Sequence, residues 1–260
     1  MKHNIEIVLT IALSDLKQRY HNSRLGFLWS FLKPLLQFVV YYSVFSIFLN
    51  IDNGPYYPQR LFLGVLVWSL FTEATTTGLT SYLSKKSIVT KIKVNMLIPP
   101  ISAYFSCLMN FLLNFTIFLL IYHISIPNSQ HIFHFENLFV VFLSFFSISV
   151  VIIALNIVLA TIDTILRDVQ NIWEIVVLYG VFLTPIIYTI PIPERWLPLY
   201  YFCNPIAFVL TNLHYAYFKT SPLLWAIPRF VALHLASLFV LSVLAVFTSR
   251  KLHERVADLL

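Results

Sequence analysis

Six stretches of this chain are predominantly apolar: 31–50, 61–82, 97–122, 138–161, 172–190 and 230–248. About 20 such residues in a helix cross the roughly 30 Å of hydrocarbon in a bilayer, where every backbone polar group must be satisfied within its own segment. The pattern therefore predicts an all-α integral membrane fold with six transmembrane helices. It adds an N-terminal amphipathic interface helix and outer re-entrant helices between the fifth and sixth spans. The chain reads as a single transmembrane domain over residues 1–260, with the interface helix and lead-in in 1–30, the six-span bundle in 31–250 and a cytoplasmic tail in 251–260.

The N-terminal helix is read from Ile5, Val8, Leu9, Ala12, Leu13, Leu16 and Tyr20, which recur at helical spacing while Glu6, Thr10, Ser14 and Lys17 fall on another face. Such a helix lies on a membrane surface or packs on a partner, and in either place it can gate lateral access to the first span. Lys2, Lys17, Arg19 and Arg24 precede that span without the compact apolar core of a cleaved signal, so the span is expected to be a retained anchor.

After the fifth run come Thr184-Pro185-Ile186-Ile187-Tyr188, then Pro191, Pro193, Trp196, Pro198, Tyr200, Tyr201 and Asn204-Pro205. This segment is too apolar for a free loop and too rich in proline for a continuous span. Short helices dipping into the outer half of the membrane fit it, since irregular backbone is tolerated there when buried in protein.

Composition agrees: 59% of residues are hydrophobic and 11% charged, too apolar a mixture for a surface facing water. The net charge of +6 matters through its placement. Of the 17 Lys and Arg, Arg60, Arg195, Lys219 and Arg229 lie on one side of the spans and the rest on the other. Cytoplasmic loops hold the excess of cations, so both termini of this multi-pass chain are expected in the cytoplasm. No basic stripe is left over for nucleic acid.

Several chemistries are missing. None of the five glycines is followed by Lys, so the phosphate-cradling loop of an ATPase is absent, as are the nucleophile-elbow and zinc-protease patterns. No catalytic residue and no metal site is therefore expected: His123, His131 and His134 cluster without a Cys or Asp to complete a site, and Cys107 and Cys203 read as packing residues.

What remains are polar groups where apolar ones are expected. The second span runs from Leu61 to Trp68 in apolar residues and then turns polar at Thr72-Glu73-Ala74-Thr75-Thr76-Thr77. A carboxylate inside a span costs about 2.5–3.5 kcal/mol on insertion scales and faces a bundle interior or a wet cavity. Glu73 is thus either a functional group or a structural hydrogen-bond partner. The segment 84–93 carries Lys85, Lys86, Lys91 and Lys93 beside an Ile88, Val89 and Ile92 face, and reads as a docking element or an ordinary positive-inside loop. Asp163, Arg167, Asp168 and Glu174 form a charged island that is a solvated turn or a second cytoplasmic contact.

The stretch Asp15-Leu16-Lys17-Gln18-Arg19-Tyr20-His21-Asn22-Ser23-Arg24-Leu25-Gly26-Phe27-Leu28-Trp29-Ser30-Phe31-Leu32-Lys33-Pro34 resembles the approach to the first span in ABC-2 type permeases that export O-antigen, capsule or teichoic-acid polymers. Leu166-Arg167-Asp168-Val169-Gln170 looks like that family's charged turn, and Thr184 to Tyr188 with Tyr201 to Pro205 like its outer re-entrant segment. Residues 85–93 fall where the family has a coupling helix. The sequence departs from the pattern at Ser14, where Arg is common.

The resemblance implies a permease subunit that moves lipid-linked polysaccharide across the plasma membrane, or the inner membrane where there are two. It implies a second copy of the chain and two separate cytoplasmic ABC ATPase subunits that use ATP and Mg, with no cofactor bound by this chain and membrane lipids around it. Lys85, Lys86, Ile88, Lys91, Arg167 and Asp168 are then the coupling candidates. Tyr41, Tyr42, Trp68, Tyr188, Trp196, Tyr200 and Tyr201, with Glu73, are candidates to edge the sugar path, and each aromatic reads equally as a belt or packing residue. Lys17, Arg19, Arg24 and Lys33 are candidates for the lipid pyrophosphate head, a role that simple positive-inside placement rivals.

Three rival readings stay open at this level. An exporter of a small hydrophobic compound would share the fold with a less aromatic cavity. An integral membrane enzyme transferring lipid-linked sugars would need clustered outer acids, whereas Asp52, Glu136 and Glu194 are well separated. A passive channel would need no nucleotide-binding partner.

Overall fold

A computed structural model describes residues 2–20, 25–26, 28–51, 54–86, 95–126, 137–188 and 192–251, and all regular structure among them is helical. The series is α1 (Lys2–Tyr20), α2 (Leu28–Tyr42) running on into a π-helical stretch Ser43–Phe48, α3 (Tyr57–Leu79), α4 (Ser81–Ser84), α5 (Ile98–Ser125) and α6 (Asn137–Ile165). It continues with α7 (Val169–Leu183), α8 (Leu197–Cys203), α9 (Pro205–Phe218), a 3-10 turn Leu224–Ala226 and α10 (Pro228–Lys251).

Five helices among the described residues are long and apolar enough to cross a membrane: Leu28–Phe48, Tyr57–Leu79, Ile98–Ser125, Asn137–Ile165 and Pro228–Lys251. The expected fifth span over 172–190 is shorter than its sequence run. Its helix, α7, ends at Leu183 because Thr184 is extended, at φ −111° and ψ 140°, ahead of Pro185, whose ring disfavours the helical conformation in the preceding residue. Fifteen residues rise only about 22 Å.

α3 is the hub. It packs against α5, α6, α2, α7 and α9, and 72% of its spanning window is buried, against 6% for α2. Rings lock this centre: Phe118 and Tyr122 of α5 meet Tyr217 of α9 edge-on at 5.5 and 5.4 Å, and Phe62 of α3 lies 6.3 Å from Phe118. Such edge-to-face pairs add about 0.5–1.5 kcal/mol each beyond the area they bury. α3 and α7 approach closely where Gly180 faces Trp68; a Cβ there would come within 2.8 Å of Trp68 Cη2.

The proline-rich segment forms short helices where the sequence predicts them. Asn204 makes the α8–α9 corner: its Oδ1 accepts from Ala207 N at 3.0 Å, while its Nδ2 donates to Leu183 O and Thr184 Oγ1, both at 3.1 Å. One side chain thus caps α9 and ties it to the end of α7. His234 of α10 closes the arrangement from the other side. Its fully buried ring stacks on Phe208 at 4.0 Å, meets Trp225 edge-on at 5.7 Å, and shares a hydrogen bond with Ser147 of α6. Replacing His234 with alanine is expected to lower stability by about 3 kcal/mol, through lost ring packing and an orphaned Ser147 hydroxyl. His234→Phe should recover part of that, and thermal unfolding of the purified chain in detergent checks the order.

α1 forms over the predicted range but divides its apolar face. Val8 and Ala12 are buried, and the helix packs on α5, whereas Ile5, Leu9 and Leu13 are exposed. The helix expected at an interface or on a partner is therefore docked against its own chain along one edge.

Candidate functional site

Two ion pairs fasten α1 to the bundle. Arg19 pairs with Glu73 of α3, and its second terminal nitrogen donates to Thr77 Oγ1 at 3.0 Å and to the Cys107 sulfur at 3.3 Å. One turn earlier, Asp15 accepts from Lys85 Nζ at 2.5 Å, and the same ammonium donates to Ser102 Oγ at 2.9 Å. Burial pulls the Lys85 ammonium below the usual lysine value, while the bond it donates to Asp15 pulls the other way. The polarity alternates: α1 presents acid then base, and the bundle presents base then acid.

Glu73 is also the floor of a cavity. About 320 Å³ in size, it lies among α2, α3 and α5, lined by Trp29, Ser30, Lys33, Pro34, Gln37, Leu66, Ser69, Leu70, Thr72, Glu73, Asn110, Phe111 and Asn114. Asn110 Nδ2 donates to Glu73 Oε2 at 3.1 Å, and Asn114 Nδ2 to Ser30 O at 3.1 Å. Along α5, Ser102, Ser106, Asn110 and Asn114 recur every four residues and make one polar stripe, whose two amides line the cavity. Hydroxyls, amides, one carboxylate, one ammonium and one indole face a common space, a set of groups that can hydrogen-bond a sugar.

The structure thus brings Glu73 and Lys33 together and sets Arg19 on Glu73. Tyr41 continues the same side of α2, its hydroxyl accepting from Gln37 Nε2 at 3.0 Å. Tyr42 stacks instead on Phe38 and on Tyr57. Lys17 is exposed on α1. Arg24, Ile88 and Lys91 lie outside the described residues, as do Lys93, His131 and His134.

At the opposite end of α3 a second, smaller cavity of about 150 Å³ gathers three of the expected aromatics, Tyr188, Tyr200 and Tyr201, with Tyr57, Arg60 and His214. Tyr188 and Tyr200 donate their hydroxyls to Phe182 O and Leu183 O at 2.9 and 3.0 Å, so both are also tied to the end of α7. Trp68 is buried beside Phe71 and lines a separate apolar hollow with Trp173 and Gly180. Trp196 is half exposed under Arg195.

The coupling candidates separate. Lys85, expected at a partner contact, is turned inward at 7% exposure because Asp15 and Ser102 hold it; the exposed residue of the pair is Lys86. Arg167 and Asp168 are exposed on the turn between α6 and α7, and Gln170 donates to Asp163 at 2.8 Å to fold that turn back. Sequence reasoning named Glu73 and Lys33 but missed the amides around them. The signal was present, as amides repeating every four residues within an apolar run.

The family model described as ABC-2 type transporter matches residues 7–218. An O-antigen export system permease protein RfbA of Myxococcus xanthus is 26% identical over 219 residues, covering 82% of this chain and 80% of that protein. One from Klebsiella pneumoniae is 25% identical over 272 residues, covering 100% of this chain and 98% of its own length.

Proposed function

Since this chain belongs to the ABC-2 type transporter family, we propose that it is the membrane permease of an ATP-driven exporter of lipid-linked polysaccharide of the O-antigen, capsule or teichoic-acid class. The observation that carries this reading is the polar cavity on Glu73, Lys33 and Trp29, built inside an apolar bundle whose relatives are O-antigen export permeases over most or all of its length. A small hydrophobic cargo would favour an apolar chamber, whereas this one offers amides, hydroxyls, a cation and a carboxylate.

The working unit in this reading is two copies of the chain with two cytoplasmic ATPase subunits, in a plasma or inner membrane, both termini cytoplasmic. Six crossings follow when α7 and the turn at 184–188 are counted as the fifth, with α8 and α9 re-entrant on the outer side. The lipid pyrophosphate head enters at the α1 end, where Lys33 faces the cavity. The sugar chain passes toward Tyr188, Tyr200 and Tyr201, which offer flat faces to its C–H surfaces. Exposed Lys86, Arg167 and Asp168 meet the ATPase, which biases the bundle only through its different affinities for two conformations.

Co-purification with the partner ATPase tests the proposal. The complex is expected to hydrolyse ATP, and Lys86→Glu with Arg167→Glu should lower substrate-stimulated hydrolysis about tenfold, worth about 1.4 kcal/mol at the contact. A chain that purifies alone and transfers sugars between lipid carriers would replace the exporter with a membrane enzyme.

A further inference from the structure

Among the described residues, the ionisable ones lining the cavity between α2, α3 and α5 are Lys33 and Glu73. Taken alone their charges cancel. Arg19 changes that balance from outside the wall: it sits on Glu73 from α1, a helix that contributes no residue to the cavity lining. Both oxygens of Glu73 are occupied, one by Arg19 and the other by the neutral Asn110 amide, so Arg19 is the cation that offsets this carboxylate. With α1 docked, the cavity and its immediate surround carry a net positive charge.

We propose that α1 sets the sign of this cavity: with Arg19 seated on Glu73 the cavity takes the pyrophosphate head of a lipid-linked glycan, and with Arg19 withdrawn the bare carboxylate expels it. The inference rests on the polysaccharide-export reading and adds to it the means by which one site captures and then releases the same anion. Because α1 supplies none of the lining, withdrawing Arg19 removes no residue from the cavity wall. Among the described side chains of α1, those below a tenth exposure are Val8 and Ala12, both small, so the two ion pairs are major fastenings of the helix. A unit charge a few ångströms from a pyrophosphate in a partly desolvated cavity changes its affinity by about tenfold or more.

The test uses the full chain with its ATPase in detergent and radiolabelled geranylgeranyl pyrophosphate as the probe; inorganic pyrophosphate and geranylgeraniol separate the contributions of head and tail. Arg19→Gln is expected to weaken probe binding at least about tenfold, or about 1.4 kcal/mol. Glu73→Gln should bind as tightly as the parent or tighter, and the Arg19→Gln/Glu73→Gln double variant should return to within about threefold of the parent. Cys107, buried against Arg19, reports docking independently: in a Cys203→Ser background its alkylation should quicken in both the Arg19→Gln and the double variant. A double variant with exposed Cys107 and near-parental binding isolates charge from structure. If both single variants weaken binding equally and the double does not recover, the pair is only a fastening and the inference is overturned. If the parent binds no probe and no ATPase co-purifies, it is the export reading that fails.

Discussion

Replacing Gly78 with alanine is expected to be the most damaging single-methyl change in the bundle. Gly78 of α3 lies directly against Asn156 of α6, and a Cβ there would fall inside the van der Waals envelope of the Asn156 amide. That amide cannot simply swing away: Asn156 is fully buried and its Nδ2 donates to Pro100 O at 3.2 Å, so one side chain ties α6 to the start of α5 while resting on α3. The added methyl both crowds the three helices and pushes the amide off Pro100 O. Overpacking costs about 1–3 kcal/mol, and an orphaned buried polar group about 1–3 more, so a loss of about 3–5 kcal/mol is expected. The measurement is the midpoint of thermal unfolding in detergent, alongside the amount of monodisperse protein recovered. Gly78→Ala combined with Asn156→Ala should be less harmful than the two separate losses added, because the second change makes room for the first. Full additivity would show that the helices do not meet through this contact.

Asp15→Ala carries the second large effect. It strands the Lys85 ammonium, whose side chain is 9% exposed, with Ser102 as its remaining partner given by the geometry. Removing one partner of a fully buried pair costs about 3–5 kcal/mol. Asp15 is 22% exposed, and water there softens the loss to about 2–3 kcal/mol. Lys85→Met in the same background removes the stranded charge and should recover most of it, since an apolar side chain of similar length is often as stable as a buried pair. Stability is read by thermal unfolding and α1 docking by the alkylation rate of Cys107. A double variant no better than Asp15→Ala would mean that the contact acts through shape and not through charge.

The elements of this fold were legible because bilayer physics writes them in long runs: five spans lie within a few residues of their apolar stretches. The exception was also decided by a readable residue. The apolar run to residue 190 outlasts the helix because Pro185 forces Thr184 out of helical conformation, a local veto that hydropathy does not record. Glu73 announced itself as a carboxylate in the middle of a span, but its partner did not. Arg19 is 54 residues away, and its charge reads equally well as a topology signal. The inward turn of Lys85 was hidden for the same reason. A lysine in a basic loop is ordinarily a surface residue, and only the packing of α1 reveals Asp15 in reach. Pairing across helices is a property of tertiary docking, so the cavity's members were visible singly and its enclosure was not.

The alternation of charges along α1 has an energetic consequence for rest and motion. Asp15 and Arg19 are four residues apart, so on leaving the bundle they can compensate each other along one helix face. Glu73 and Lys85 are twelve residues apart, one on α3 and the other beyond α4, and do not share a helix face on which to pair with each other. The penalty of undocking therefore falls mainly on the bundle side, and most of all on Lys85. A chain left to itself relaxes to the docked arrangement, and any open state lasts only while work from outside, or a bound ion in the vacated groove, holds it there.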